Sequence, residues 1–176
     1  FQVRQQTPCP DSAAGSILDL KEEPAYRTSR ASSHHGLNLR MDERRTRLRF
    51  EGFQLERFPD GRCKAEVRMA WKGNRRFIGE SRGTQTMEGE IRASAEAALA
   101  AISQSAKGRM EFTLRGAKAV RAFDAWLVVV CVDARGPGKP QRLWGAFPCT
   151  DENTGRAAVL AALDSTNRIL EKYLTG

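Results

Sequence analysis

The stretch TDENTGRAAVLAALDSTNRIL, Thr150–Leu170, decides how this chain is divided. Threonine is a favourable helix N-cap, and Asp151 and Glu152 suit the positive end of a helix dipole. Ala157, Ala158, Ala161 and Ala162 let such a helix lie close to a sheet or to another helix. Stepping back 64 positions, Thr86, Glu88 and Ala97–Leu99 match Thr150, Glu152 and Ala161–Leu163. Similarity at a fixed offset is the mark of an internal repeat.

What precedes the two helices agrees with a repeat. RLRFEGFQLERF (Arg47–Phe58) alternates apolar and polar residues and breaks at the turn tripeptide Pro59-Asp60-Gly61. CKAEVRMAW (Cys63–Trp71) alternates again and breaks at Lys72-Gly73-Asn74. RRFIGES (Arg75–Ser81) reads as a third strand, and MEGEIRASAEAALAAI (Met87–Ile102) has apolar residues at helical spacing. The order then recurs. Arg109–Phe123, Ala125–Ala134 and Gln141–Phe147 read as strands, and the opening stretch closes the unit. The expected fold is α+β: two β-β-β-α repeats with pseudo-two-fold symmetry, helices packed on antiparallel sheets. Repeat one spans 45–107 and repeat two 108–176. The expected core is Leu48, Phe50, Val67, Met69, Ile78, Leu99, Ile102, Leu127, Val129, Leu143, Leu160, Leu163 and Ile169. Asn167 is expected to cap or bridge backbone, and Arg168 to pair across a dimer.

Residues 1–44 read differently. They are rich in serine, proline and glycine, hold no sustained period, and carry six basic and six acidic side chains. They are expected to be a disordered arm or a non-native extension, with Met41 as the natural start. Ser16–Pro24 (SILDLKEEP) could form a short docking peptide. The net charge of +8 therefore sits in residues 45–176. The start lacks the charged head and apolar centre of a signal peptide, and no apolar run approaches the roughly 18 residues of a membrane span. A cytoplasmic protein without a membrane segment is expected.

Little in the chain points to catalysis. Its two histidines, His34 and His35, both precede the repeats, so the repeats hold no histidine for a triad or metal cluster. Cys9, Cys63, Cys131 and Cys149 lack CxxC spacing. Gly79–Gly83 (GESRG) precedes a helix as phosphate-binding loops do, but without their Lys and Ser/Thr. No enzyme activity, cofactor or metal is expected.

Gly145–Leu170 (GAFPCTDENTGRAAVLAALDSTNRIL) resembles the end of the C-terminal regulatory domain of 2-isopropylmalate and citramalate synthases, through Gly145, Thr150-Asp151 and Asn167-Arg168. Gly73–Leu99 is similar to an earlier passage of that domain, through Gly73, Gly79-Glu80 and Gly83. The resemblance covers about residues 47–173. It implies two β-β-β-α units, a dimer, and a feedback amino acid (leucine or isoleucine) held near the loops before the helices. Gly83, Thr84, Thr86, Thr150 and Asp151 would be the ligand-contacting residues. Helix N-termini there could hold a carboxylate. The family's Gly-Pro-Val-Asp-Ala is replaced by Gly83-Thr84-Gln85-Thr86-Met87. A stand-alone regulatory or accessory module, either a homodimer or a subunit of a larger complex, is the expectation.

The charge supports an alternative. Arg45, Arg47 and Arg49 alternate with apolar residues, and Arg75, Arg76 and Arg82 lie around the second turn and third strand. Together they could form a patch for the phosphates of a nucleic acid.

Overall fold

The computed structural model of the chain describes residues 47–72, 74–149 and 153–174. The readings made on residues 1–46, including Met41, the docking peptide and Arg45, lie outside them. So do those on Gly73 and on Thr150–Glu152.

Six strands and two helices follow in the order β1 (Arg49–Arg57), β2 (Arg62–Trp71), β3 (Arg75–Thr84), α1 (Met87–Ser105), β4 (Glu111–Ala122), β5 (Ala125–Arg135), β6 (Gln141–Cys149) and α2 (Thr154–Leu174). Strands β1–β2–β3 form one antiparallel sheet and β4–β5–β6 a second, each followed by its helix. The fold is α+β, built from a β-β-β-α unit used twice.

Alternation in the middle strands sets the inner, helix-facing side of each sheet. In β2 the inward residues are Cys63, Ala65, Val67 and Met69; in β5 they are Val128, Val130, Val132 and Ala134, and all eight are buried. The helices pack on these faces and against each other, and α1 also runs along β4.

One contact explains why both helices are so rich in alanine. A Cβ added to Gly79 of β3 would overlap the Ala97 carbonyl oxygen of α1. A Cβ added to Gly145 of β6 would overlap the Ala161 carbonyl oxygen of α2 in the same way. Strand and helix backbones thus touch at equivalent points of the two units. Ala97 and Ala161 keep the 64-residue offset, whereas Gly79 and Gly145 are 66 apart, so the stretch from last strand to helix is two residues shorter in repeat two. Only small residues fit such an approach.

Each first strand carries a β-bulge at the same place, between Phe50 and Gly52 in β1 and between Leu114 and Gly116 in β4. A bulge inserts one residue and inverts the inside–outside phase. Before it Leu48 and Phe50 face inward; after it Phe53, Leu55 and Arg57 do.

Four expected core residues are placed otherwise, among them Leu160, which is half-buried and outside the core cluster. Ile78 is 48% exposed on the outer face of β3. Leu127 and Val129 lie on the outer face of β5, because the inward phase of that strand is the even-numbered one. Their strand is apolar on both faces, so alternation could not choose the phase. Asn167 does not bridge backbone through its Oδ1, which is buried and has no hydrogen-bond partner among the described residues. Arg168 is exposed. No helix among the described residues is long and apolar enough to cross a membrane.

Candidate ligand-binding site

The inverted phase of β1 brings a charged residue inward. Arg57, last in the strand, reaches the first turn of α1. Its Nε donates to Glu90 Oε1 at 2.5 Å and its Nη2 to Glu90 Oε2 at 2.8 Å. The Glu90 side chain is 11% exposed and that of Arg57 54%. The hydrogen bond to the Glu90 carboxylate, and then its charge, raise the Arg57 pKa above its ordinary value, so the guanidinium stays charged.

Helix α2 starts opposite this pair. Asn153 caps it: its Oδ1 accepts from the Arg156 N–H at 3.0 Å, and its carbonyl from the Ala157 N–H at 3.1 Å. Gly155 in the first turn lies so close to Phe53 that a Cβ would come within 2.9 Å of the ring. Between these parts lies a cavity of about 390 Å³, lined by Phe53, Leu55, Arg57, Glu90, Asn153, Thr154 and Gly155. That volume is at the small end of the roughly 300–1,000 Å³ typical of ligand sites.

The wall has a distinct chemistry. The N-terminus of α2 and the Arg57 guanidinium favour an anion. The Glu90 carboxylate favours a cation, and Phe53 and Leu55 offer apolar surface. Cys63, next to Arg57 in the ladder, is no nucleophile here. Burial first, and then the Glu90 charge, pushes its thiol above the ordinary range, and it donates to the Thr84 carbonyl at 3.3 Å.

The residues suggested by resemblance are placed differently. Strand β3 continues to Thr84, through the pairs Cys63–Gly83 and Arg62–Thr84, so Gly83 and Thr84 belong to the sheet and not to a loop. For the same reason Gly79–Gly83 is strand, not a phosphate-binding loop. Thr86 caps α1, accepting from the Gly89 N–H at 3.1 Å, and Thr84 Oγ1 sits 3.2 Å from Thr86 Oγ1. These threonines hold the start of α1 and do not line the cavity. Thr150 and Asp151 lie outside the described residues. The expected cap at Thr150 is corrected: α2 begins at Thr154, and Asn153 is its cap.

The arginine patch is divided. Arg49, Arg76 and Arg82 lie on the outer face of the first sheet, whereas Arg75 points to the helix side, stacked over Trp71 at 5.3 Å. Arg47 precedes β1 and is exposed. Acids interleave the outer face: Glu51 pairs with Arg76 at 3.4 Å, and Glu80 with Lys64 at 2.8 Å. The surface is mixed in sign.

Reading the sequence missed Arg57 and Glu90. The available signal was the spacing of Phe50 and Phe53, three apart where simple alternation demands an even number.

No protein-family model matches the chain, and no curated protein sequence matches it.

Proposed function

We propose that this chain is a non-catalytic regulatory module that binds an α-amino acid in the cavity at the start of α2. The observation that supports it is the opposed wall of Arg57, Glu90 and the α2 N-terminus over an apolar floor. A zwitterion matches that wall. Its carboxylate suits the helix N-terminus and Arg57, its ammonium suits Glu90, and an apolar side chain suits Phe53 and Leu55. The resemblance to synthase regulatory domains points to leucine or isoleucine, by a site shifted from the residues it suggested. The absence of histidine from the repeats and the protonated state of Cys63 favour binding over catalysis. A nucleic-acid role draws less support, because acids interleave the arginines that would meet phosphate.

Thermal melts with leucine, isoleucine and valine, at low and high salt, test this. A ligand at about 100 times its Kd adds roughly 2.7 kcal/mol, a rise of several degrees for a domain of this size. The rise should persist in high salt and fall by about half or more in Arg57→Met. No rise with any of the three overturns the amino-acid reading.

A further inference from the structure

We infer that the outer face of the second sheet docks on an anionic lipid surface, lying on the bilayer and not across it. The two units are built alike, yet their outer faces differ. On its outer side β2 carries Lys64, Glu66 and Arg68, whereas β5 carries Leu127, Val129 and Cys131. Beside that strip stand Val120 of β4 and Trp144 and Pro148 of β6, with Trp144 66% and Val120 39% exposed. At the tip of the same sheet Phe123 is 99% exposed and held at φ 54, a backbone conformation unfavourable for a bulky residue. No part of the fold uses that ring. Contiguous apolar surface with exposed aromatics suits a boundary that is apolar on one side and wet on the other.

Charge selects the partner. Residues 109–149, the second sheet with its turns, carry seven basic and three acidic side chains. Of the acids, Asp133 lies between Arg115 and Arg142, at 3.5 and 3.0 Å, and Glu111 stands opposite Arg135 in the ladder. The third, Asp124, is beside Phe123. Near it Lys118 and Arg121 are exposed and have no ion-pair partner among the described residues. Lys118 lies opposite Val129, within the apolar strip. A protein partner would need a carboxylate at that one point, whereas lipid phosphates meet a cation anywhere on the surface. A nucleic acid also offers phosphates, but the face presents a single ring, Trp144, where stacking takes successive bases. In a bilayer interface Lys118 lays its stem along apolar neighbours and keeps its amine at phosphate level, while Phe123 and Trp144 enter the headgroup boundary. Each basic group at such a surface strengthens binding roughly fivefold.

Co-sedimentation of the full chain with vesicles tests it, using phosphatidylcholine alone and phosphatidylcholine with about 30% phosphatidylglycerol, in about 0.15 M salt. No amino acid is added, so the outcome is separate from that of the cavity. Binding should be at least about tenfold tighter to the anionic vesicles. Phe123→Asn removes the ring and suits φ 54 better, so the fold is kept, and it should bind at least about fivefold more weakly. Lys118→Glu should weaken binding at least about tenfold. Arg68→Glu, the same change of charge on the outer face of the first sheet, should weaken it less than about threefold. Circular dichroism checks that each variant folds. A chain that ignores anionic vesicles, or binds neutral ones as tightly, overturns the proposal and leaves the face to a protein. Equal losses for Lys118→Glu and Arg68→Glu, or full binding by Phe123→Asn, overturn it as well, because adsorption would then follow net charge alone.

Discussion

Arg57 and Glu90, 33 residues apart, join the end of β1 to the first turn of α1 through two parallel hydrogen bonds. The pair forms one wall of a cavity that also holds the start of α2. Replacing Arg57 with Met removes the guanidinium and keeps most of its apolar stem. Amino-acid affinity should fall at least tenfold, measured by calorimetry. The melting temperature without ligand separates lost binding from lost fold.

The contact of Gly79 with Ala97, and of Gly145 with Ala161, leaves no space for a methyl group. Gly79→Ala and Gly145→Ala should each cost about 1–3 kcal/mol or more, read from urea midpoints. Gly116→Ala is the control: a Cβ there meets nothing within 4 Å, and the change should stay within about 0.5 kcal/mol. Equal costs at all three positions would remove close backbone packing as the reason for the glycines.

The two helix caps can be removed singly. Thr86→Ala and Asn153→Ala should each lower stability by about 1 kcal/mol. A Thr150→Ala change that costs as much as Asn153→Ala would move the start of α2 back to where the sequence alone suggested it.

Cys63 makes stability depend on alkaline pH. Its folded thiol titrates above the ordinary value of 9.0, so beyond pH 9 the unfolded chain releases this proton before the folded one does. Stability from this group is complete below that pH and declines as pH rises through the folded value. Melts between pH 8 and 10.5 should decline less steeply in Cys63→Ala than in the wild type. In the native protein, thiol reagents at pH 8 should react with Cys63 far more slowly than after unfolding.

Asn167 gives a prediction of opposite sign to the one its sequence context suggests. Its buried Oδ1 has no partner among the described residues, so Asn167→Ala gives up no hydrogen bond through that atom. The substitution should be neutral or stabilising by up to about 1 kcal/mol in chemical denaturation. A clear loss would mean that the side chain does bridge the backbone.

Element order and strand pairing were legible from the sequence because turns and periods are local. Pro59-Asp60-Gly61 and the alternation of Cys63–Trp71 each needed only neighbouring residues. Faces were harder to read. The bulge after Phe50 turns Arg57 from an apparent surface residue into a wall of the cavity, and a bulge is defined by the partner strand. In β5 the run Leu127–Val132 is apolar throughout, so only the packing of α2 reveals which residues face it. At the start of α2, Thr150 and Asn153 are both good caps, and the choice between them depends on where the helix meets Phe53.

On its outer side the middle strand of the first sheet carries Lys64, Glu66 and Arg68 and that of the second Leu127, Val129 and Cys131, and this difference has an evolutionary consequence. If two half-length chains formed the same pair of sheets as a symmetric assembly, every substitution would appear on both. A residue that made one face adhesive would make the other adhesive as well, and the assembly could grow without closing. Joining the halves in one chain breaks that constraint. Each sheet then accumulates its own substitutions, so one can remain inert in water while the other becomes selective for a neighbour.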